Sequence, residues 1–124
     1  MTTRLQHVSV PRPPGSDDRA RAFYGGLLGL EELPPPAALE GVLWYRLGAV
    51  ELHLFSERER LPELRQHLCL EVDDLEALRE RLEVAGVATQ DATPIPGRPR
   101  FFCRDPFGNR LEFTAVTGDY RELG

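Results

Sequence analysis

Hydrophobic and polar positions along the chain follow the same order of elements twice: a strand, a helix and two further strands. In the first half the periodicities predict these elements at 5–10, 17–28, 42–48 and 50–55. In the second half they predict them at 66–72, 74–87, 100–105 and 110–116. An internal repeat fixes which residues occupy equivalent places in the fold, so it is weighed before any single motif.

Local signals mark where the two helices begin and end. Ser16 or Asp17 is expected to cap the first helix, and Gly29 is expected to close it in the left-handed conformation. Asp74 and Gly86 are expected to cap and close the second helix in the same way.

Other signals locate the ends of strands. Pro11 is expected to end the first strand, and the sequence PFGN (106–109) is expected to form a tight turn between the last two strands. One more short strand is expected in each half, around 31–33 and 88–91, where the chain leaves each helix. The run 56–65 is expected to be an exposed linker between the halves.

Alternation within the strands gives each one an apolar face and a mixed face. The apolar residues, suited to packing against the helices, are Val8, Val10, Leu52, Leu54, Leu68, Leu70, Leu111 and Phe113. The mixed face carries a titratable group near the middle of four strands: His7, His53, His67 and Glu112. His53 follows His7 by 46 residues and Glu112 follows His67 by 45, so the four occupy matching places in the repeat. A sheet curled around a cavity explains a face too apolar for open solvent and too polar for a dry core.

Three imidazoles and one carboxylate directed into one cavity are a donor set for a divalent metal ion. Neutral imidazole and carboxylate suit Zn, Fe, Mn, Co or Ni, and two His with one carboxylate leave positions open for a substrate. We expect His7, His67 and Glu112 to be ligands, with Glu112 also moving protons. His53 is expected to be a fourth ligand or a neighbour of the ion. The alternatives are structural strand histidines and an ordinary cross-strand ion pair of Glu112.

Aromatic and cationic residues near these strands are candidates for contact with a substrate. Trp44 and Phe101 are expected to line the cavity, and Arg100 to bind a carboxylate or phosphate, although sheet packing and a solvated surface explain them equally well. Tyr24 on the first helix is expected in the core. Cys69 shares the strand phase of His67, and we expect a small buried residue there rather than a thiol ligand.

Composition narrows the classes of function. The net charge of −5 over 124 residues argues against an electrostatic nucleic-acid partner. All fifteen cations are arginine, which excludes chemistry based on a lysine amine. Two cysteines do not make a disulfide framework, and no apolar run approaches the roughly 18 residues of a membrane span. We expect a single domain over 1–124, with modules of about 4–56 and 65–117, in a reducing cytoplasmic setting.

Two motifs carry a resemblance to a known superfamily. The sequence FYGGLLGLE (23–31) resembles the pattern F-Y-x-x-x-L-G-F/L, and DPFGNRLEF (105–113) resembles D-P-D/F-G-N/H-x-[LI]-E. Together with LQHVSV, VELHLF and HLCLEVDDLEAL, they are similar to the vicinal oxygen chelate superfamily over about residues 4–116. This superfamily includes glyoxalases, bleomycin-resistance proteins and extradiol dioxygenases.

The resemblance implies an α+β fold. Two βαβββ modules would form a cupped eight-stranded mixed sheet, with the helices on its outer face. Metal ligands in the superfamily lie on the first and last strand of each module, and those positions match His7, His53, His67 and Glu112. The resemblance also implies a homodimer in which the modules close a site within one chain or exchange across two.

The residues distinguish between the activities of the superfamily. His53 stands where glyoxalases usually carry Glu, which weakens that interpretation. His7, His67 and Glu112 match the ligands of fosfomycin thiol transferases, but the segment 93–100 lacks the lysine those proteins carry. Extradiol dioxygenases need further His or Tyr groups, and no histidine is left over. Bleomycin-type proteins bind a cationic drug without metal, which suits the net charge but not the histidines.

We therefore expect a small metal-dependent enzyme acting on a small molecule with vicinal oxygens. Its chemistry would be of the lyase, isomerase or epimerase, thiol transferase or dioxygenase type. The alternative is a metal-free protein that binds and sequesters an antibiotic or metabolite.

Overall fold

The computed structural model describes residues 2, 4–58 and 66–123, and the chain divides into two compact units, Met1–Leu61 and Pro62–Gly124. Each unit contains one four-stranded mixed sheet, so the predicted repeat and the α+β class are confirmed. The closing of the sheets into one cup and the single domain stay predictions. The predicted linker 56–65 lies outside the described residues from residue 59 onward.

The sheet of the first unit has the order β1-β4-β3-β2. Its strands are β1 (His7–Arg12), β2 (Glu32–Leu33), β3 (Leu43–Leu47) and β4 (Val50–Ser56). β1 pairs with β4 in parallel, and the other pairs are antiparallel. Between β1 and β2 lies the helix α1 (Asp17–Ala20), which continues as a π-helical segment over Arg21–Leu27. Gly29 follows the end of this helix and has a φ of 70°, in the left-handed region as predicted.

The sheet of the second unit repeats this order as β5-β8-β7-β6. Its strands are β5 (Leu68–Glu71), β6 (Thr89–Asp91), β7 (Arg100–Arg104) and β8 (Arg110–Thr114). Asp74 caps the helix α2 (Leu75–Val84) by accepting a hydrogen bond of 3.0 Å from the amide of Ala77. A short helix, α3 (Tyr120–Leu123), follows the last strand and was not predicted. Among the described residues, no helix is long and apolar enough to cross a membrane.

Several predicted boundaries are wrong in detail. β1 continues through Pro11 to Arg12, because β1 lies at the edge of its sheet, where a missing N–H is tolerated. The first helix is not α-helical throughout: the amide of Leu28 donates to the carbonyl of Phe23, five residues back. Ser16 occupies the N-cap position, as predicted, but its side chain makes no capping bond, because its hydroxyl donates to the carbonyl of Pro13 instead.

The apolar faces of the strands are buried together with the inner residues of the helices. In the first unit the buried residues are Val10, Ala20, Phe23, Tyr24, Leu43, Tyr45, Leu52 and Leu54. In the second they are Leu78, Leu82, Phe101, Cys103, Leu111 and Phe113, with Phe102 and Phe107 also buried. The core position predicted for Tyr24 is confirmed. Burial of each large apolar side chain stabilises the folded state by about 1.5–3 kcal/mol, so the role of these faces is to stabilise the fold.

An arginine closes the apolar face of the first unit. Arg12 is 1% exposed, and its guanidinium donates to Asp17 at 2.7 Å and to the carbonyl of Gly41 at 2.9 Å. It also donates to the hydroxyl of Ser16. These bonds tie the end of β1 to the start of α1 and to the loop before β3. A buried guanidinium needs such partners because an unpaired buried charge is strongly destabilising.

A carboxylate organises the turn between β7 and β8. Asp105, which is 4% exposed, accepts hydrogen bonds from the amides of Phe107 at 2.9 Å and Asn109 at 2.7 Å. Its other oxygen accepts from the side-chain amide of Asn109 at 2.7 Å. The predicted turn at 106–109 is confirmed, and its geometry fixes the register that sets Phe102 beside Glu112.

Replacing Asp105 by alanine is expected to lower the free energy of unfolding by about 2–3 kcal/mol, because it leaves buried amide donors without an acceptor. Urea denaturation measures the change. Asp73→Ala, at an exposed position before α2, is the matched control and should stay within about 0.5 kcal/mol of the parent protein. Equal destabilisation by the two substitutions would contradict the role given to Asp105.

Candidate functional site

Both histidines of the first unit lie on its mixed face. In the parallel pairing of β1 with β4, His7 lies beside Glu51 and Ser9 beside His53, which makes the two histidines diagonal neighbours. On the other side of β4, Trp44 lies beside His53. The strand phases predicted for this unit are confirmed, and Trp44 shares the face of the histidines.

These side chains form a stack of three rings. The imidazole of His53 lies between the indole of Trp44, at a centroid distance of 3.8 Å, and the imidazole of His7, at 4.2 Å. The interplanar angles are 4° and 16°. The side chain of His53 is 12% exposed, so it is enclosed by its two neighbours, whereas His7 is exposed. The stack is a column of three nearly parallel rings, with the imidazole of His7 at one end and the indole of Trp44 at the other.

Polar contacts hold both imidazoles at their edges. The Nε2 atom of His53 lies 2.9 Å from an oxygen of Glu51, and the Nδ1 atom of His7 lies 2.6 Å from the side-chain oxygen of Gln6. The hydrogen bond with His53 lowers the pKa of the Glu51 carboxyl, with Gln6 adding to the effect. Glu51 is two residues from His53 on the same strand, so its side chain reaches the ring along the mixed face.

The stacking limits what the two histidines can bind together. A metal ion lies close to the plane of each imidazole that binds it, about 2.0–2.1 Å from the nitrogen. The rings of His7 and His53 are nearly parallel and 4.2 Å apart, so their planes do not meet at that distance. One ring would have to leave the stack before both could bind one ion. Of the two roles predicted for His53, this arrangement favours the neighbour over the fourth ligand.

In the second unit a histidine and a carboxylate are in direct contact. Cys69 lies beside Glu112 in the parallel pairing of β5 with β8, and His67 precedes β5 rather than lying within it. The Nε2 atom of His67 is 2.9 Å from Oε1 of Glu112. This unit therefore brings together the two residues that the repeat singled out.

Arg100 occupies the second oxygen of the same carboxylate. Its Nη1 atom donates to Oε2 of Glu112 at 3.2 Å, while Nε and Nη2 both donate to the carbonyl of Thr93, at 3.2 and 2.9 Å. The side chains of Arg100 and Glu112 are 17% and 11% exposed. Arg100 thus fixes the carboxylate plane so that Oε1 faces His67.

The aromatic residue on this mixed face is Phe102, and the prediction for Phe101 is corrected. The register sets Phe102 beside Glu112 and Phe101 beside Phe113 on the apolar face. Phe101 is 1% exposed and packs on Phe113 with ring centroids 5.4 Å apart. The ring of Phe102 meets the imidazole of His67 edge to face, at 5.2 Å.

Cys69 has the ordinary character of an unreactive thiol. Partial burial, followed by the charge and hydrogen bond of Glu112, raises its pKa to about 11. The thiol form therefore dominates at neutral pH, whereas a reactive cysteine needs a lowered pKa. Cys69 as a whole residue is nonetheless exposed, so the prediction that it is buried is wrong.

The donor chemistry of the second unit fits a divalent ion, because His67 and Glu112 present a ring nitrogen and a carboxylate oxygen at one place. Within each unit, over the described residues, no group of three or more His, Cys, Asp or Glu side chains is arranged around one point. Two protein donors are therefore available in the second unit, and further ligands would have to come from elsewhere.

Comparison with known proteins agrees with this architecture. The chain matches the family model of the glyoxalase-like domain over residues 16–114. It is similar to the structure of a protein from Bacillus anthracis assigned to the glyoxalase family, with 35% identity, coverage of 94% of this chain and 97% of that chain, and a TM-score of 0.86. A search of curated proteins finds no match.

Two further structures are similar in fold alone. The fosfomycin resistance protein FosX from Listeria monocytogenes has 15% identity, covers 98% of each chain and has a TM-score of 0.82. TnmS3, an antibiotic binding protein from Streptomyces sp. CB03234, has 24% identity, 93% and 97% coverage and a TM-score of 0.73. Because the family model spans most of the chain and the Bacillus anthracis protein is 35% identical over nearly all of it, the chain belongs to the glyoxalase-like domain family of the vicinal oxygen chelate superfamily.

Proposed function

We propose that the protein is a small metal-dependent enzyme acting on a small molecule with vicinal oxygen atoms. Lyase, isomerase or epimerase, thiol transferase and dioxygenase-like reactions all belong to this class. His7, His67 and Glu112 would hold the divalent ion, with Zn, Fe, Mn, Ni and Co as candidates. The inclusion of His7 is supported by the sequence repeat and the superfamily resemblance. The proposal applies whether the ligands belong to one chain or to two.

The contact between His67 and Glu112 is the observation that carries this proposal. A ring nitrogen lies 2.9 Å from a carboxylate oxygen on the mixed face of the second sheet. His67 lies at the start of the second module and Glu112 on its last strand, which are the places where the superfamily resemblance puts metal ligands. Arg100 holds the other oxygen of the carboxylate, which keeps Oε1 directed at His67.

The chain's own residues suit proton transfer beside a bound substrate. A divalent ion would supply Lewis acidity that polarises a substrate oxygen. Glu112 is fixed in orientation by Arg100 and can take or give a proton at an atom next to the polarised group. Trp44, which is partly exposed, would offer apolar surface for the substrate body and help to exclude water from the reacting atoms.

Protein purified without an affinity tag is expected to bind a divalent ion, and His67→Ala or Glu112→Gln should each lower the affinity by at least about 100-fold, because each removes a ligand. Elemental analysis and competition with a chromophoric chelator measure the change. Glu71→Gln is the matched control, since Glu71 is an exposed carboxylate on the same strand as Cys69.

In the control variant the affinity should stay within about threefold of the parent protein, since surface charges contribute little. Metal content that is sub-stoichiometric in the parent protein and unchanged in both ligand variants would sink the proposal.

A second candidate function is metal-free binding of an antibiotic or metabolite. The stack of Trp44, His53 and His7 favours it, because a planar group of a ligand could extend the stack at its indole or imidazole end. The similarity in fold to TnmS3, an antibiotic binding protein, supports this candidate. The net charge of −5 suits a cationic ligand of the bleomycin type.

Calorimetric titration with bleomycin at low salt is expected, under this second candidate, to show saturable binding that Trp44→Ala weakens at least about threefold, because the substitution removes a stacking surface. Tyr120→Ala, an exposed aromatic outside the mixed face, is the control and should bind like the parent protein. If bleomycin and related glycopeptides give no binding heat, the second candidate loses its support.

A further inference from the structure

The mixed face of the second sheet is rich in arginine. The registers place Arg100, Arg104 and Arg110 on this face, around Phe102 and beside Glu112. The carboxylates that the registers place there are Glu71 and Glu112. Cations thus exceed carboxylates on this face, in a chain whose net charge is −5. Such a local reversal of charge attracts and concentrates anions.

Arg100 is fixed in place and has N–H donors available for a ligand. Three of its N–H groups are used, two by the carbonyl of Thr93 and one by Glu112. A guanidinium has five N–H donors, so two of them have no partner within the part of the chain that the structure describes. Its side chain is 17% exposed, which leaves the group accessible. Because the Thr93 carbonyl already fixes the guanidinium, little side-chain entropy would be lost when a ligand binds.

Arg110 lies on the opposite side of Phe102 from Arg100 along the strands. The guanidinium carbon of Arg110 lies 3.9 Å from the centroid of the Phe102 ring, and that of Arg100 lies 5.5 Å from it. Arg110 is two residues before Glu112 on β8, and Arg100 pairs with Thr114, two residues after it. The two guanidinium groups therefore flank both Phe102 and Glu112.

We propose that Arg100 and Arg110, on either side of Phe102, form a binding subsite for an oxyanion of the substrate, that is, a carboxylate, phosphate or phosphonate group. Both groups are planar donors that match the oxygens of such an anion in pairs. The assignment deepens the proposed function, on which it rests, by naming the substrate as an anion. The oxyanion would lie next to Glu112, so that the atom bonded to it is within reach of the carboxylate.

Calorimetric titration of the metal-free protein with inorganic phosphate, and separately with malonate, tests the subsite at low salt. Saturable binding of at least one of the two is expected, and the preferred anion separates a phosphate-like from a carboxylate group. Arg100→Gln and Arg110→Gln should each weaken it at least about tenfold, because each removes charge-assisted hydrogen bonds. Arg46→Gln, at the position of the first sheet that corresponds to Arg104 in the second, removes one arginine outside the proposed subsite; it is the control and should leave the affinity unchanged.

Two further measurements keep the test decisive. If Arg100→Gln does not fold, because the Thr93 carbonyl and Glu112 lose their donor, Arg110→Gln carries the test by itself. Glu112→Gln separates the subsite from the metal proposal: it should weaken metal binding at least about 100-fold yet tighten binding of the oxyanion, because a neighbouring negative charge is removed.

The proposal is overturned if neither anion binds saturably, or if binding survives substitution of the arginines. Equal weakening by Arg46→Gln would overturn it as well, since that result would report net charge rather than a site. Loss of oxyanion binding in a folded Glu112→Gln protein would place the anion on the metal ligands and also contradict the subsite. If only the metal titration fails, the result of the oxyanion titration is unaffected, because that titration uses the metal-free protein.

Discussion

The parallel pairing of the first with the last strand of each unit is the constraint on which the candidate site depends. Side chains that face one another across β1 and β4, or across β5 and β8, must lie on the same side of the sheet. One side is filled by apolar residues that pack with the helices. The titratable groups lie on the other side, where His7 on β1 is diagonal to His53 on β4, and His67, just before β5, contacts Glu112 on β8. A shift of either register by one residue would bury these groups in the core.

The two units use this common frame for different chemistry. His53 in the first unit and Glu112 in the second occupy corresponding places, and so do Trp44 and Phe102, which lie beside them. The first unit stacks two imidazoles and an indole and pairs one imidazole with Glu51. The second unit pairs its histidine with the carboxylate of Glu112. Stacking separates the ring nitrogens of the first unit, whereas the contact of His67 with Glu112 brings a nitrogen to an oxygen. The second unit is therefore better suited to the proposed metal site.

The sequence was sufficient to predict the repeat and the helix cap at Asp74. It also predicted that His7 shares a sheet face with His53, and His67 with Glu112. These features depend on local periodicity and on alternation, which a single sequence records directly. Phe101 was placed wrongly because three apolar residues follow one another at 101–103, and such a run does not reveal which of them faces the helices. The buried Arg12 was not predicted, since an arginine at the end of a strand usually indicates a surface position. The ring stack and the Arg100 bridge depend on side-chain rotamers, which periodicity does not specify.

The measurement that tests the central claim most directly is anomalous X-ray scattering from crystals grown with Zn²⁺ or Mn²⁺. A peak is expected about 2.0–2.2 Å from the Nε2 atom of His67 and from a carboxylate oxygen of Glu112. Its position relative to His7 would show which chain supplies the third ligand. A well-occupied peak bound elsewhere on the surface, with the contact between His67 and Glu112 undisturbed, would contradict the claim that these residues hold a metal ion.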